Sequence, residues 1–392
     1  MSDMERNMKK IEEEETPRKH HKIGKALLVF LILLVVLGVV FVAAWRDGTG
    51  FDALRRYFNY GSTAESGVVA YRYDAENSNR FALIGDRLVV LSNTSLRLLA
   101  ADGSEVWSTN VKMTNPALTQ GGNYVAAYDV GGQSLYVLDE NGQRLTIETE
   151  NDEPLISAKL NQKGMLAVTA GQRSQKGIVS VYDADMQLIF QYHSSRRFVS
   201  DAYVTDNGKY LAAVTLGQEN SVFVSNIVLY DLKQTDPFGN YDIEDGLVVD
   251  MGSLQGQLAM VTDTALVFAS DNGTITGTYE YSEPFLREYD IAGEDYVALL
   301  LNRYKSGSVG RLITVAPDGS EIASLDVHQE VLDLSANGRY LAVLYTDQLV
   351  IYNRELQVYS TLHGVGRAQN VLARGDGSVL ILTADSAELF LP

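Results

Sequence analysis

The chain carries one long apolar run near its N-terminus and, beyond it, a short alternation of apolar and polar positions that repeats to the C-terminus. The run, ALLVFLILLVVLGVVFVAAW at 26–45, holds twenty residues without a charge. At about 1.5 Å per residue, a helix of that length spans roughly 30 Å, the thickness of a bilayer's hydrocarbon core. The run is apolar all round rather than along one stripe, so it predicts a single transmembrane helix over 26–45.

The alternative to a permanent anchor is a cleaved signal peptide. Val42-Ala43-Ala44 resembles a cleavage site. However, the apolar region of a signal peptide is usually only about 7–15 residues long, and the segment that precedes it is usually shorter than this one. The pattern therefore favours an uncleaved anchor.

Lys and Arg are more numerous before the apolar run than at a similar distance after it. Those before it are Arg6, Lys9, Lys10, Arg18, Lys19, Lys22 and Lys25, and those after it are Arg46, Arg55 and Arg56. Basic residues accumulate on the cytoplasmic side of a span, so this asymmetry predicts a cytoplasmic N-terminus and an extracytoplasmic C-terminal part. We expect a single-pass protein of the plasma membrane, with a disordered cytoplasmic tail over 1–25 and a juxtamembrane linker over 46–66.

After the linker, a polar turn followed by a short apolar run recurs eight times, as in NGKYLAAV and NGRYLAVL. The first apolar residues of these runs are Leu88, Tyr124, Met165, Tyr210, Leu258, Tyr296, Tyr340 and Val379. Their spacing is close to forty residues, which is the signature of an internal structural repeat.

Each of these runs leads into a second and usually a third strand-like run. The second runs, such as SLYVLD and NIVLYD, are short, alternating and rich in β-branched and aromatic residues. Turns such as Asp102-Gly103 and Asn141-Gly142 then follow, and these dipeptides are strong hairpin signals. With a weaker strand leading into each unit, the pattern predicts four short strands per repeat.

A four-stranded unit cannot bury both faces of its sheet alone, whereas a radial arrangement lets each sheet cover its neighbours. The sequence therefore predicts an all-β, eight-bladed β-propeller over 67–392, preceded by the single transmembrane helix. Seven blades is the alternative, because the unit around Leu88 is short and its first strand is faint.

The last repeat stops at Pro392 without a fourth strand, and a spare strand, GVVAYRYD at 67–74, precedes the first repeat. We expect the spare strand to complete the last blade, which would remove an open sheet edge. This closure brings the linker to the face that carries the tight turns between third and fourth strands. The opposite face should then point away from the membrane.

Charge and composition narrow the class of ligand. Residues 47–392 hold 24 Lys and Arg against 44 Asp and Glu, a formal charge of −20, which argues against nucleic acid. The chain has no Cys, so disulfides and thiolate chemistry are excluded. His193, His328 and His363 lie in different repeats without zinc-site spacing, and neither calcium-loop nor dinucleotide-binding patterns are present. We expect no metal, no cofactor and no catalytic constellation.

The repeats resemble those of WD40-like and quinoprotein-like propellers. The segment ADGSEVW, from Ala101 to Trp107, is similar to the quinoprotein repeat, but the other units lack its Trp, so the quinone cofactor of that group is not expected. Overall, the chain resembles an uncharacterised family of bacterial proteins with a short tail, one span and an outer propeller of unknown function. That resemblance covers almost the whole chain and implies neither an activity nor residue roles.

One group of loops suggests a binding site. Basic and aromatic residues lie in two long second-to-third-strand loops and in a neighbouring blade crossing: Arg173, Lys176, Arg196, Arg197, Arg303, Tyr304 and Lys305. The predicted topology brings them all to the membrane-distal face of an acidic domain. We hypothesise an anionic ligand there, either an envelope protein or a cell-wall polymer. The alternative is that charge merely keeps these loops soluble.

Three hypotheses of function follow. The leading one is a membrane-anchored binding or scaffolding module at the bacterial cell envelope. The second is a propeller lyase or hydrolase, which would require carboxyls with raised pKa values converging in the central channel. The third is a signalling receptor, although its cytoplasmic tail is short for an output domain.

Overall fold

The computed structural model describes residues 27–39, 52, 56, 68–76, 78–150, 153–219, 222–244 and 246–392. The chain divides into two compact units, Met1–Ser62 and Thr63–Pro392. In the first unit the described residues include a helix over 27–39 whose side chains are all exposed. None of the described helices has the length and apolar character needed to cross a bilayer. The remaining residues of the predicted span, the tail over 1–25 and most of the linker lie outside the described residues.

The described part of the second unit contains 32 short strands. It begins with β1 (Val68–Arg72). Blade 1 contains β2 (Arg80–Ile84), β3 (Arg87–Leu91), β4 (Ser95–Leu99) and β5 (Glu105–Asn110). Blade 2 contains β6 (Pro116–Gly121), β7 (Tyr124–Asp129), β8 (Ser134–Asp139) and β9 (Gly142–Glu148). Blade 3 contains β10 (Leu155–Leu160), β11 (Leu166–Gln172), β12 (Gln175–Tyr182) and β13 (Leu188–Ser194). Blade 4 contains β14 (Phe198–Val204), β15 (Tyr210–Glu219), β16 (Val222–Asp231) and β17 (Pro237–Ile243).

The remaining blades follow the same plan. Blade 5 contains β18 (Val248–Leu254), β19 (Gln257–Thr262), β20 (Ala265–Ala269) and β21 (Ile275–Glu280). Blade 6 contains β22 (Phe285–Asp290), β23 (Val297–Asn302), β24 (Gly310–Val315) and β25 (Glu321–Val327). Blade 7 contains β26 (Val331–Asn337), β27 (Tyr340–Tyr345), β28 (Gln348–Asn353) and β29 (Val358–His363). Blade 8 contains β30 (Asn370–Ala373), β31 (Val379–Leu382), β32 (Ser386–Phe390) and β1.

In the described residues these strands form eight four-stranded antiparallel sheets, each pairing only strands of its own blade. The prediction of eight blades is therefore confirmed, and the seven-bladed alternative is wrong. The unit around Leu88 has a complete first strand, β2, which the sequence shows only faintly because its exposed and buried positions do not alternate. Packing against neighbouring blades, rather than local pattern, fixes this strand.

Blade 8 is completed by the strand from the N-terminal side. β1 pairs antiparallel with β32, through Val68↔Leu389, Val69↔Glu388, Tyr71↔Ala387 and Arg72↔Ser386. Tyr73 extends the contact, because its hydroxyl donates to the carbonyl oxygens of Thr383 (2.9 Å) and Ser386 (2.7 Å). The sheet edge that β32 would otherwise expose is thus paired, as the sequence predicts.

The core lies between blades. Among the described residues, eight buried apolar clusters each join side chains of two adjacent blades, including one between blades 7 and 8 and one between blades 8 and 1. Every sheet is therefore covered on both faces, and the ring is closed. Burial of both faces explains why the second and third strands of each blade read as nearly continuous apolar runs.

Candidate functional site

The propeller has two faces that carry different sets of loops. Each blade starts at the axis and meanders outward through four antiparallel strands. One face therefore carries the loops between second and third strands and the crossings to the next blade, and we call it the top face. The other, the bottom face, carries the turns between first and second and between third and fourth strands. β1 runs antiparallel to β32 and so begins at the bottom face.

All seven residues of the predicted basic site lie at the top face, in two groups. Arg173 occupies the β11–β12 turn, Lys176 follows it in β12, and Arg196 and Arg197 form the crossing from blade 3 to blade 4. The second group, residues 303–305, lies in the β23–β24 loop of blade 6, so blade 5 separates it from the first group. The sequence analysis treats these residues as one site, whereas the structure separates them into two patches on the top face.

The first group is built around Phe198, which the sequence analysis does not single out. The Lys176 ammonium lies 4.5 Å from the centre of the Phe198 ring, a cation–π distance. Arg197 contacts Asp242 at 3.6 Å, and its guanidinium packs against the backbone of Gly217. Phe198 and Phe223 are 59% and 65% exposed. We call Lys176, Arg196, Arg197, Phe198 and Phe223 the blade 3–4 patch.

The second group is smaller. Arg303 forms an ion pair with Glu283 at 3.3 Å, and Tyr304 next to it is 59% exposed. The Asn302 amide donates to the carbonyl oxygen of Gly307, which has a φ of 122° and lets the loop turn back into β24. This loop therefore presents an exposed aromatic ring beside a cation that already has a carboxylate partner.

A second candidate site, the channel ring, lies at the axis. The first strands of blades 3 to 7 each contain a β-bulge, and a polar residue follows the bulged position in every case: Ser157, Asp201, Asp250, Glu288 and Asp333. Bulges redirect side chains and recur next to functional sites. Here they bring polar residues from five blades together around the channel.

Lys159 connects the first part of the channel ring. Its ammonium contacts the carboxylate of Asp250 and lies 4.0 Å from that of Asp201, which also accepts a hydrogen bond from the Ser157 hydroxyl at 2.6 Å. Burial alone lowers the pKa of Lys159, but the two carboxylates outweigh it and raise that pKa overall. Lys159 is therefore a fixed positive charge, which argues against a nucleophilic amine. Burial raises the pKa of Asp201 despite the neighbouring ammonium.

Glu288 and Asp333 form the second part of the ring. The two carboxyls share a hydrogen bond, which requires a proton on one of them. Burial, followed by the charge of Asp333, raises the pKa of Glu288 to about 8, and burial also raises the pKa of Asp333. Asp290 lies on the same strand as Glu288, and burial raises its pKa to about 6.

The channel carboxyls also join neighbouring blades. Asp333 accepts hydrogen bonds from the N–H groups of Leu334 (3.0 Å) and Val371 (2.8 Å), the latter in blade 8. Asp290 accepts from the N–H of Ala336 in blade 7 at 2.7 Å. Carboxylates that accept backbone N–H groups satisfy donors that would otherwise be buried without a partner. These contacts give the ring a structural role irrespective of any chemistry.

A cavity of about 350 Å³ opens in the channel beside this ring. Its charged and phenolic lining consists of Lys159, Tyr203, Asp250, Tyr289 and Asp290, whereas Glu288 and Asp333 do not line it. The Tyr289 hydroxyl donates to Asp250 at 2.9 Å. In the part of the chain that the structure describes, no group of three or more His, Asp or Glu side chains is arranged to hold a metal ion.

The sequence contains a signal for the channel ring. An acidic residue recurs at one position of the faint first strand, in VSDA, VVDM, LREY and VLDL. Each acid follows an apolar residue and one further residue, with the spacing of the repeats. The signal is this recurrence of a polar position in register with the repeat.

Comparisons with solved structures agree with the observed fold. The C-terminal WD40 domain of Sif2 matches with a TM-score of 0.57 at 12% identity, covering 83% of this chain and 100% of that chain. BamB from Moraxella catarrhalis gives 0.54 at 13% identity, covering 83% and 99%. The computationally designed Ika8 protein gives 0.60 at 11% identity, covering 83% and 100%. Identities this low show a shared β-propeller fold and carry no functional assignment.

The sequence comparisons identify a family without a known activity. No curated protein matches the chain significantly. A model of the DUF5711 family, a family of unknown function, matches residues 60–361, which is more than half of the chain. The chain therefore belongs to the DUF5711 family.

Proposed function

We propose that this protein is a membrane-anchored binding module of the bacterial cell envelope, whose top face captures an acidic protein partner. The observation that carries the proposal is the blade 3–4 patch. Two exposed Phe rings and three cations lie on the top face of blades 3 and 4 in a strongly acidic domain. Aromatic residues and Arg are enriched at protein–protein interfaces and supply most of their hot spots.

The chemistry of the patch favours an acidic partner. The domain as a whole repels acidic macromolecules, so a local group of cations gives orientation and specificity as well as attraction. Arg197 is held across the face of blade 4 by Asp242, which lowers the entropy that the side chain would lose on binding. The blade 6 loop offers a second contact point through Tyr304.

The anchor belongs to the same proposal. The uncharged run over 26–45 and the excess of basic residues before it support a single span with the N-terminus in the cytoplasm. From the direction of β1, which begins at the bottom face, we infer that the top face points away from the membrane. Resistance of the full chain to alkaline extraction from membranes tests the anchor, and solubilisation by that treatment would contradict it.

Site-specific photocrosslinking in intact cells tests the binding face. A photoreactive residue at Phe223 or Tyr304 should capture a partner, whereas the same residue at Val358, an equally exposed apolar position on a fourth strand, should not. Charge reversal of Arg173, Lys176, Arg196 and Arg197 together should abolish the capture. Unchanged capture after charge reversal, or equal capture at Val358, would overturn the assignment of the face.

A channel enzyme is the second candidate, because the hydrogen-bonded Glu288–Asp333 pair has the raised pKa values that this hypothesis requires. Backbone N–H groups already occupy both oxygens of Asp333, and neither carboxyl lines the channel cavity. The binding function is therefore the better supported of the two. The enzyme hypothesis would become the better supported one if the full chain hydrolysed a fluorogenic glycoside or uronide. That activity would have to be lost in Glu288→Gln and retained in Glu140→Gln.

A further inference from the structure

The hairpin of blade 4 rises above the rest of its sheet. β15 and β16 are ten residues long, more than any other described strand. Pairing with β14 ends at Phe198↔Leu216 and pairing with β17 ends at Ser225↔Ile243. β15 and β16 nevertheless stay paired through Gly217↔Val224, Gln218↔Phe223 and Glu219↔Val222. At about 3.3 Å per residue, this leaves a two-stranded projection of roughly 10 Å on the top face.

The projection exposes a strand edge. Among the described residues, no strand pairs with 217–219 on the side where β14 ends. An unpaired edge presents N–H and C=O groups that can hydrogen-bond to a further strand. Gly217 lies in this edge, and the Arg197 guanidinium occupies the space that a Cβ at this position would need.

The two sides of this edge differ in chemistry. Arg197 lies on the side facing blade 3, where its guanidinium carbon is 2.8 Å from the position that a Cβ of Gly217 would take. Lys176 of blade 3 lies on this side too, with its ammonium over the Phe198 ring. Gln218 and its partner Phe223 are one residue further on and so face the opposite side, toward blade 5. Phe198, the first residue of β14, pairs with Leu216, and its ring contacts the Lys176 ammonium.

We propose that an extended segment of the acidic partner adds to the free edge of β15 as a further strand, continuing the line of β14 beyond Phe198. Side chains alternate along a strand, so acidic residues at every second position would face Arg197, Arg196 and Lys176. The intervening residues would be apolar and would contact Phe223. This inference rests on the proposed function and adds to it the conformation and residue pattern of the partner.

Binding of defined peptides to the purified full chain tests the proposal by fluorescence anisotropy. The probe is a labelled eight-residue peptide of alternating Glu and Val. We expect it to bind at least about tenfold more tightly than a Lys–Val peptide of the same pattern, or than a peptide with four Glu followed by four Val. Methylation of its backbone nitrogens should cause a similar loss, because edge pairing requires them as donors.

Matched variants locate the site. Arg196→Glu and Phe223→Ser, both at exposed positions, should each weaken binding about tenfold, whereas Val358→Ser should leave it unchanged. Equal binding of the methylated and parent peptides would overturn edge pairing, even if photocrosslinking still mapped a partner to the top face. Concentration-dependent dimerisation lost in Phe223→Ser, without peptide binding, would instead identify a second copy as the occupant. If a photoreactive residue at Phe223 or Tyr304 captured no partner in intact cells, that result would count against the proposed function.

Discussion

Glu288 and Asp333, on the first strands of blades 6 and 7, share one hydrogen bond across the boundary between their blades. Loss of the proton that the pair shares would place two negative charges side by side near the axis. Since Asp333 also holds the N–H of Val371 in blade 8, the protonation state of this pair affects the contact between three consecutive blades. The first prediction follows from that linkage.

We expect the propeller to be more stable at pH 5 than at pH 8.5. The pKa of Glu288 is 4.5 in an unfolded chain and about 8 in the folded one, and that of Asp290 rises from 3.8 to about 6. Between these values the folded state binds more protons than the unfolded state, so the free energy of unfolding falls as pH rises. With water in the channel, the loss should be on the order of 2 kcal/mol, measurable by thermal unfolding at both pH values.

Glu288→Gln should reduce this pH dependence and make the protein more stable than the wild type at pH 8.5. The amide cannot ionise, yet it can still donate a hydrogen bond to Asp333. Glu140→Gln, at an exposed turn on the bottom face, serves as the control and should leave the pH dependence unchanged. An unaltered pH profile in Glu288→Gln would show that the pair does not hold the proton.

Lys159→Met should destabilise the fold at pH 7 by about 3–5 kcal/mol, because it leaves Asp201 and Asp250 without their positive partner. The loss should shrink at pH 5, where Asp201, whose pKa burial raises, is protonated more easily. Chemical denaturation at the two pH values measures both effects. Lys233→Met, at an exposed turn, should have little effect, and an equal loss in the two variants would refute the role of Lys159.

Tyr71→Ala should weaken closure of the ring. Tyr71 lies in β1, is only 2% exposed, and its hydroxyl donates to the carbonyl oxygen of Asp86 at 2.6 Å. Removing a buried aromatic side chain costs about 3–5 kcal/mol. Limited proteolysis should then cleave near blades 8 and 1 first. Val358→Ala, at an exposed site, serves as the control and should lower the free energy of unfolding by less than about 0.5 kcal/mol. If the protease first cleaved Tyr71→Ala in blades other than 8 and 1, the role of β1 in closing the ring would be contradicted.

Two glycine variants separate backbone strain from close packing. Gly103 and Gly256 have similar φ values, 79° and 77°, so alanine should cost about 1–2 kcal/mol at either position. A Cβ at Gly103 would lie 2.7 Å from the carbonyl oxygen of Ala70 in β1, whereas none of the surroundings lies within 4 Å at Gly256. Gly103→Ala should therefore be less stable than Gly256→Ala by about a further 1–3 kcal/mol in chemical denaturation. Equal losses of stability in the two variants would mean that β1 shifts to make room for the Cβ at position 103 without destabilising the fold.

The top-face residues were predictable only in part. The positions of Arg173, Arg196 and Arg303 between strands place them on the top face, since connectivity fixes that much. Phe198 and Phe223 are missed because an aromatic residue at a strand position is explained by β propensity alone. Their exposure depends on where neighbouring strands stop pairing, which local sequence does not specify.

By itself, the sequence determined the repeated four-stranded unit, the number of blades and the strand that closes the ring. Those features follow from local alternation and from turn residues whose conformational preferences act over a few positions. Only the tertiary structure decided which polar residues meet at the axis. Lys159 and Asp250 are 91 residues apart and come into contact because ring closure places their first strands across one channel. Their partners, like the proton between Glu288 and Asp333, are set by burial and proximity, which exist only once all eight blades have assembled.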